Sequence, residues 1–248
     1  VTAELKKNNI NFYNFNSNNR PTSLKKRFMN NNHSIFRLNI LRQLEIDEQQ
    51  QNKVFYKLKK IIKKLDLIIF SDFNYGFLPQ KLVDRIIKLA RENKTYLVAD
   101  SQSSSQIGDI ARFKNVNLIT PTEHEARVSL KNYDDGLVVI AEKVRKITNT
   151  DHLILTLGKD GMVIQTKNNK KNIKQSFDTE KISNIVKEAK DTAGAGDALL
   201  VSTSMALASR KFNIYEASLL GAVASAIQVS KIGNIPLQNR EIQNILKY

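Results

Sequence analysis

The sequence predicts an α/β domain built around a mainly parallel β-sheet. Three observations carry this reading. Residues 67–70 (LIIF), 95–99 (TYLVA), 116–119 (VNLI) and 152–156 (HLILT) are short apolar runs of the length expected for strands buried on both faces. Helical patterns separate them, which is the order of βα units. Each run also ends on polar or acidic residues: Asp72, Asp100, Thr120 to Glu125, and Thr156 to Gly158. Ligands bind beyond the carboxyl ends of such strands.

The elements follow in order. The first forty residues read as β-rich, with a strand over 10–15 (INFYNF) and two more over 24–29 and 34–40, joined as a hairpin across Asn30 to His33. Val54, Phe55, Leu58, Ile61, Ile62 and Leu65 recur at helical spacing, so an amphipathic helix precedes the first buried strand. Pro79 opens a helix reaching Asn93, and further helices are expected from about Glu123 and over 136–148. Gly158 to Gly161 reverses the chain into an antiparallel strand over 162–166, and the polar stretch 167–183 reads as a surface loop. Helices over 197–209 and 214–231 carry small residues at 198, 202 and 206 and at 217, 221, 224 and 225, which suit close helix packing. A short helix over 239–247 ends the sequence.

Composition narrows the function. The 248 residues carry a formal net charge of +15, no cysteine and 41% hydrophobic residues, enough apolar content for a packed core. Lack of cysteine excludes a disulfide scaffold, a thiolate metal site and a cysteine nucleophile. No apolar run approaches the roughly 18–20 residues of a membrane-spanning helix. The excess lysine is scattered among asparagines without an aromatic-interleaved basic stripe, so solvated faces explain the charge and a nucleic-acid partner is not expected. His33, His124 and His152 are dispersed, and no zinc site is expected.

Chemistry concentrates at Asp191–Thr192–Ala193–Gly194–Ala195–Gly196–Asp197, immediately before a long helix. Gly194, Ala195 and Gly196 place bare backbone N–H groups at a helix N-terminus, where the dipole and unpaired donors attract an anion. A simple phosphate loop would avoid negative charge there, yet Asp197 stands in the first turn. A carboxylate in that place suits a base that accepts a proton from a hydroxyl attacking a phosphoryl group.

This motif resembles the D-T-x-G-A-G-D signature of the ribokinase-like (PfkB) carbohydrate kinases. The resemblance implies a ribokinase-like three-layer α/β fold with a small β lid at 24–40 and a nucleotide-binding core over 65–248. It makes Asp197 the catalytic base and Gly194, Ala195 and Gly196 the anion hole. Thr156, Gly158 and Gly161 (in TLGKDG) match the family hairpin that contacts nucleotide phosphates. Thr122 and Glu125 (in TPTEHE) match its segment near ATP and Mg²⁺, with Glu125 holding the metal through water. Asp191, and Gly233 after the last long helix, complete the cofactor-side set. Within the family, 20–47, 70–79 and TPTEHEA are similar to the heptose 7-phosphate kinases, whose product feeds ADP-heptose and lipopolysaccharide precursor synthesis. A sugar phosphate substrate, a cytoplasmic location and a homodimer through the lid hairpin follow from that likeness.

The sequence departs from the pattern at defined points. Thr122 stands for the family Asn, Tyr75 for the heptose kinase Lys, Ala193 for the usual Thr or Asn, and Ser101 to Ser103 for Pro-Lys-Gly. Nothing matches the family's opening segment of about 80 residues with its Gly-Gly sugar turn, so a single kinase domain over 1–248, truncated at its N-terminus, is expected. Asp72 and Asp100 read equally as strand-end caps or as substrate ligands. Another sugar or nucleoside kinase of the family, or a nucleotide- or polyanion-binding fragment without catalysis, stays open at this level.

Overall fold

A computed structural model describes residues 2–15, 20–30, 33–41, 44–103, 107–167, 177–186, 189–233 and 235–246. Its centre is a six-stranded sheet whose strands stand side by side in chain order. These are β3 (Leu67–Asp72), β4 (Tyr96–Ser101), β5 (Leu118–Ile119), β6 (His152–Thr156), β7 (Met162–Lys167) and β8 (Phe177–Ile182). β3 to β6 run parallel, while β7 and β8 are antiparallel to their predecessors. Before them lie α1 (Thr2–Lys7) and a separate hairpin of β1 (Leu24–Asn30) and β2 (His33–Ile40).

The sheet is apolar on both faces, and alternate residues feed two cores. Leu97, Ala99, Ile119, Leu153 and Leu155 point into one, where α3 (Gln80–Glu92) and α5 (Leu137–Thr148) supply Leu82, Ile86, Ile140 and Val144. Here α2 (Glu48–Ile61) packs only partly buried Val54, Phe55 and Leu58, and α4 (Glu123–Leu130) adds Ala126. Val98, Leu118, Ile154, Met162 and Ile164 point into the other, under α6 (Ala195–Ala208) and α7 (Ile214–Val229). The result is three layers, as expected. α8 (Asn239–Leu246) lies against α7.

Local chemistry sets the boundaries. Asp47 caps α2 by accepting the Gln50 N–H at 2.7 Å, and Asn213 caps α7 in a capping box with Glu216. Small residues let α6 and α7 touch closely: a Cβ on Gly221 would collide with Thr203 Oγ1 and stand 3.0 Å from the Leu199 carbonyl.

Two expectations are corrected. Residues 10–15 form no strand, because among the described residues no neighbouring strand pairs with their β-favouring side chains, and regular structure in this stretch is the α1 helix over Thr2–Lys7. The polar stretch to 183 is not all loop. Residues 177–182 (FDTEKI) pair with β7 as β8, a strand whose alternating polar residues give no continuous apolar run. The expected loop at 168–176 lies outside the described residues.

Candidate active site

The site grows from the carboxyl ends of the parallel strands and the start of α6. Gly194 caps that helix with a left-handed backbone (φ 80°), a conformation glycine adopts without penalty. The Ala195 N–H turns back onto the Thr192 carbonyl at 3.3 Å, and the Ala198 N–H bonds the Gly194 carbonyl at 2.9 Å. Between them, the Gly196 and Asp197 amides have no acceptor among the described residues, so two first-turn donors are open. Gly196 and Asp197 are both exposed, and a Cβ on Gly196 would meet nothing within 4 Å. The Asp197 carboxylate thus stands in the open beside free helix-start amides, accepting one hydrogen bond, from Gln102 Nε2 to Oδ1 at 3.2 Å.

Asp191 is tied into the loop that precedes α6. Its carboxylate accepts the Ala193 N–H at 3.0 Å and the Gly233 N–H at 3.0 Å, tying the loop before α6 to the chain after α7. Gln228 Nε2 reinforces the tie by donating to the carbonyls of Ala193 and Gly233, each at 3.3 Å. Asp191 and Gly233 therefore brace the loop from behind.

Thr122, Thr156, Gly158, Gly161, Ala195 and Gly196 line one cleft of about 360 Å³ between the 156–161 turn and the starts of α6 and α4. Gly158 (φ 59°) leaves open space where a side chain would project. Gly161 (φ 90°) is required for a second reason: a Cβ there would fall on the Ile182 carbonyl and lie 2.9 Å from the Asn184 nitrogen. Asp197 and Gly194 open on the other flank of α6, into a larger apolar-walled cavity of about 690 Å³. The start of α6 therefore lies between two spaces.

The acidic residues differ sharply in surroundings. Thr122 caps α4, and its N–H and hydroxyl both donate to Glu125 Oε2 at 2.9 Å, while Glu125 Oε1 accepts the Ser103 N–H at 2.8 Å. Glu125 is 8% exposed, and both its oxygens already accept hydrogen bonds. Asp72 is buried, accepts the Asn74 N–H at 2.9 Å, and pairs with Arg112 Nη1 at 3.3 Å. Burial raises its pKa, opposed by the Asn74 N–H and Arg112. Asp100, half-buried at the end of β4, has its pKa pushed up to about 7. Burial is the first cause, then the negative charges of Glu125 and Asp197, with the Gln102 hydrogen bond opposing and Asp72 adding a little more. Among the described residues no three acidic or histidine side chains come close enough to hold a metal ion.

Three participants carry no sequence motif. Gln102 orients Asp197, Arg112 neutralises Asp72 from 40 residues away, and Lys25 of the hairpin sets its ammonium 5.2 Å from the ring centre of Phe73 and 5.4 Å from that of Tyr75. Only Gln102 had a pointer, its place two residues past a strand-end aspartate.

A family model described as "pfkB family carbohydrate kinase" matches residues 1–240. The chain belongs to the PfkB family of carbohydrate kinases. Among curated relatives it is 28% identical over 231 residues to the bifunctional protein HldE of Nitratiruptor sp., covering 91% of this chain and 45% of that protein. HldE of Aliarcobacter butzleri is also 28% identical, over 88% of this chain and 43% of its own length. The PfkB chain thus spans less than half the length of these curated relatives. Its fold is shared with the ribokinase of Giardia lamblia, at TM-score 0.75 and 17% identity over 99% of this chain and 78% of that one. Phosphofructokinase-2 of Escherichia coli in complex with substrates and products aligns at TM-score 0.67 and 14% identity, over 91% and 70% of the two chains. The ribokinase-like architecture expected from the motifs is therefore the one observed.

Proposed function

We propose that this PfkB chain carries the phosphoryl-transfer machinery of an ATP-dependent sugar kinase, with a heptose 7-phosphate as the acceptor, feeding ADP-heptose and lipopolysaccharide precursor synthesis in the cytoplasm. One observation carries the reading: an exposed carboxylate, Asp197, beside open amide donors at a helix start. The choice of heptose phosphate is supported by the likeness to HldE proteins and by the stretches 20–47 and 70–79.

The residues divide the work by position. The acceptor hydroxyl gives its proton to Asp197 as its oxygen attacks the γ-phosphorus and the bond from that phosphorus to the bridging oxygen breaks, releasing ADP; Gln102 holds Oδ1, which leaves Oδ2 for the proton. The open main-chain amides of Gly196 and Asp197, following the turn at Gly194 and Ala195, donate to charge developing on the transferring group, while the Ala195 N–H is spent on the Thr192 carbonyl. The cleft walled by Thr122, Thr156, Gly158 and Gly161 fits a nucleotide phosphate tail, since its open glycine backbone admits close approach. ATP supplies the phosphoryl group when bound. Glu125 is 8% exposed and is held through both oxygens by Ser103 and Thr122, so Mg²⁺ is assigned to the bound triphosphate, with Glu125 reaching it through water. Lys25, lying over Tyr75, supplies a cation near the place where the heptose kinases carry lysine.

Asp191 and Gly233 brace the nucleotide side of the site, and of the two strand-end aspartates Asp100 feels the charges of Glu125 and Asp197 while Asp72 is paired with Arg112. The hairpin exposes Leu24, Phe28, Phe36, Leu38 and Ile40, an apolar ribbon suited to cover by a second copy.

The test compares wild type with Asp197→Asn in the protein as its gene encodes it, using ATP with heptose 7-phosphate, fructose 6-phosphate and ribose. Turnover should fall by roughly 10²–10⁴ or more, while ATP affinity stays nearly unchanged. Retained phosphorylation would remove Asp197 from the reaction. Wild-type silence toward every sugar, combined with strongly salt-dependent duplex binding, would replace the kinase with a polyanion-binding module.

A further inference from the structure

The opposite end of the sheet holds a further concavity that the kinase reading does not use. It is about 330 Å³ in volume and is assembled where loops enter the strands, around Tyr96 at the start of β4. Tyr96 and Asp100 are four residues apart on one strand, which separates this cavity from the acidic cluster by about 13 Å.

Four cations converge on it from distant parts of the chain: Arg91 after the core of α3, Lys94 in the next turn, Lys167 at the end of β7, and Arg210 just past α6. All four are exposed, and none forms an ion pair among the described residues. The two guanidinium groups are held in place by backbone carbonyls: Arg91 donates to Asn115 at 3.3 Å and Arg210 to Lys94 at 3.4 Å. Among the described residues the one carboxylate at this site, Asp151, is engaged by Asn117 Nδ2 at 2.8 Å. The Tyr96 hydroxyl is buried and has no hydrogen-bond partner among the described residues.

A concave, mostly polar site with three more positive than negative charges attracts a multiply charged anion. Anchored guanidinium forks match phosphate oxygens in geometry as well as in charge. The volume lies at the small-ligand end of the usual range for binding pockets. Lys94 and Arg210 also border a neighbouring groove with Lys63 and Lys64, which extends the positive field at the mouth. Among the described residues no exposed aromatic platform accompanies these charges, because the only ring lining the cavity, Tyr96, packs toward the core under α6 and α7.

We propose that this cavity is a second ligand site, for a small phosphate-bearing anion, at the end of the sheet opposite the phosphoryl-transfer edge. The proposal does not depend on which sugar is phosphorylated.

Amide and side-chain NMR spectra of the full chain, titrated with inorganic pyrophosphate at low and moderate salt, test it. Saturable shifts are expected at Thr95, Tyr96, Asn117 and Asp151, with any response at Gly194 to Asp197 following its own binding curve. Arg210→Glu should weaken the first set about tenfold or more and leave the second unchanged. Lys167→Glu, on an exposed strand end, repeats the test if Arg210→Glu disturbs the fold. Shifts confined to Gly194–Asp197, or unsaturable shifts spread over the lysines of α2, would overturn the site. Duplex binding tighter than pyrophosphate binding and abolished by Arg210→Glu would also overturn it, by making this face a polyanion surface.

Discussion

Replacing Asp100 by asparagine should make the protein more stable, and only when the solution is not strongly acidic. Asp100 sits half-buried with Glu125, Asp197 and Asp72 acting on it, and its pKa rises from 3.8 to about 7. The native state then holds the proton more tightly than the unfolded chain. Its contribution to stability is therefore complete below pH 3.8 and is lost as pH rises through about 7. At about 1.36 kcal/mol per tenfold change in proton affinity, the full effect is at most about 4 kcal/mol, and partial solvent access lowers it to about 2–3 kcal/mol. Asparagine keeps the size and a hydrogen-bonding group for Gln102 but removes the charge. Urea unfolding of wild type and Asp100→Asn at pH 4, 6 and 8 should show nearly equal stability at pH 4 and a gain for the variant that grows to this value at pH 8. A gain independent of pH, or a variant less stable at pH 8, would refute the electrostatic account. If Asp100 touches the acceptor, the stabilised variant also loses turnover, which is the usual relation between strain and chemistry at active sites.

Other perturbations act through single contacts. Arg112→Ala should destabilise by about 3–5 kcal/mol at pH 7, because it leaves the buried Asp72 carboxylate unpaired, and by less in acid, where Asp72 can take up a proton; denaturant midpoints at two pH values read this. Gly161→Ala should lower the thermal midpoint and perturb the β7–β8 amides, since the new methyl group meets the Ile182 carbonyl at a left-handed backbone, at a cost of about 1–3 kcal/mol. Gly221→Ala should separate α6 from α7 against Thr203 and Leu199, costing about 1–3 kcal/mol in chemical unfolding and weakening nucleotide binding through the displaced start of α6.

What the sequence disclosed follows from how local each signal is. The parallel strands were legible because burial on both faces leaves an unbroken apolar run, as in LIIF. The helix start at Gly194 was legible because a left-handed cap and a crowded backbone loop demand small residues at fixed positions. β8 was not, since a half-polar strand at the end of the sheet looks like a loop until β7 is beside it. Asp191 was legible as part of a motif but not as a brace, because its partner Gly233 lies 42 residues on. Asp72 was an open choice between cap and ligand, and Arg112, brought in by the turn before β5, engages it internally. The basic cavity gave no signal at all, as its four cations are spread from 91 to 210 and meet only through the order of the strands.

That order has a consequence for biosynthesis. Each strand of the sheet from β4 to β8 lies beside the one translated immediately before it, so a chain leaving the ribosome can dock each of these strands onto an existing neighbour without waiting for distant segments. The helix that bears Asp197 emerges after all six strands. A nascent polypeptide consequently completes its strand-end carboxylates first and the open amides beside Asp197 last, so the two halves of the candidate site come together only when the sheet is already built.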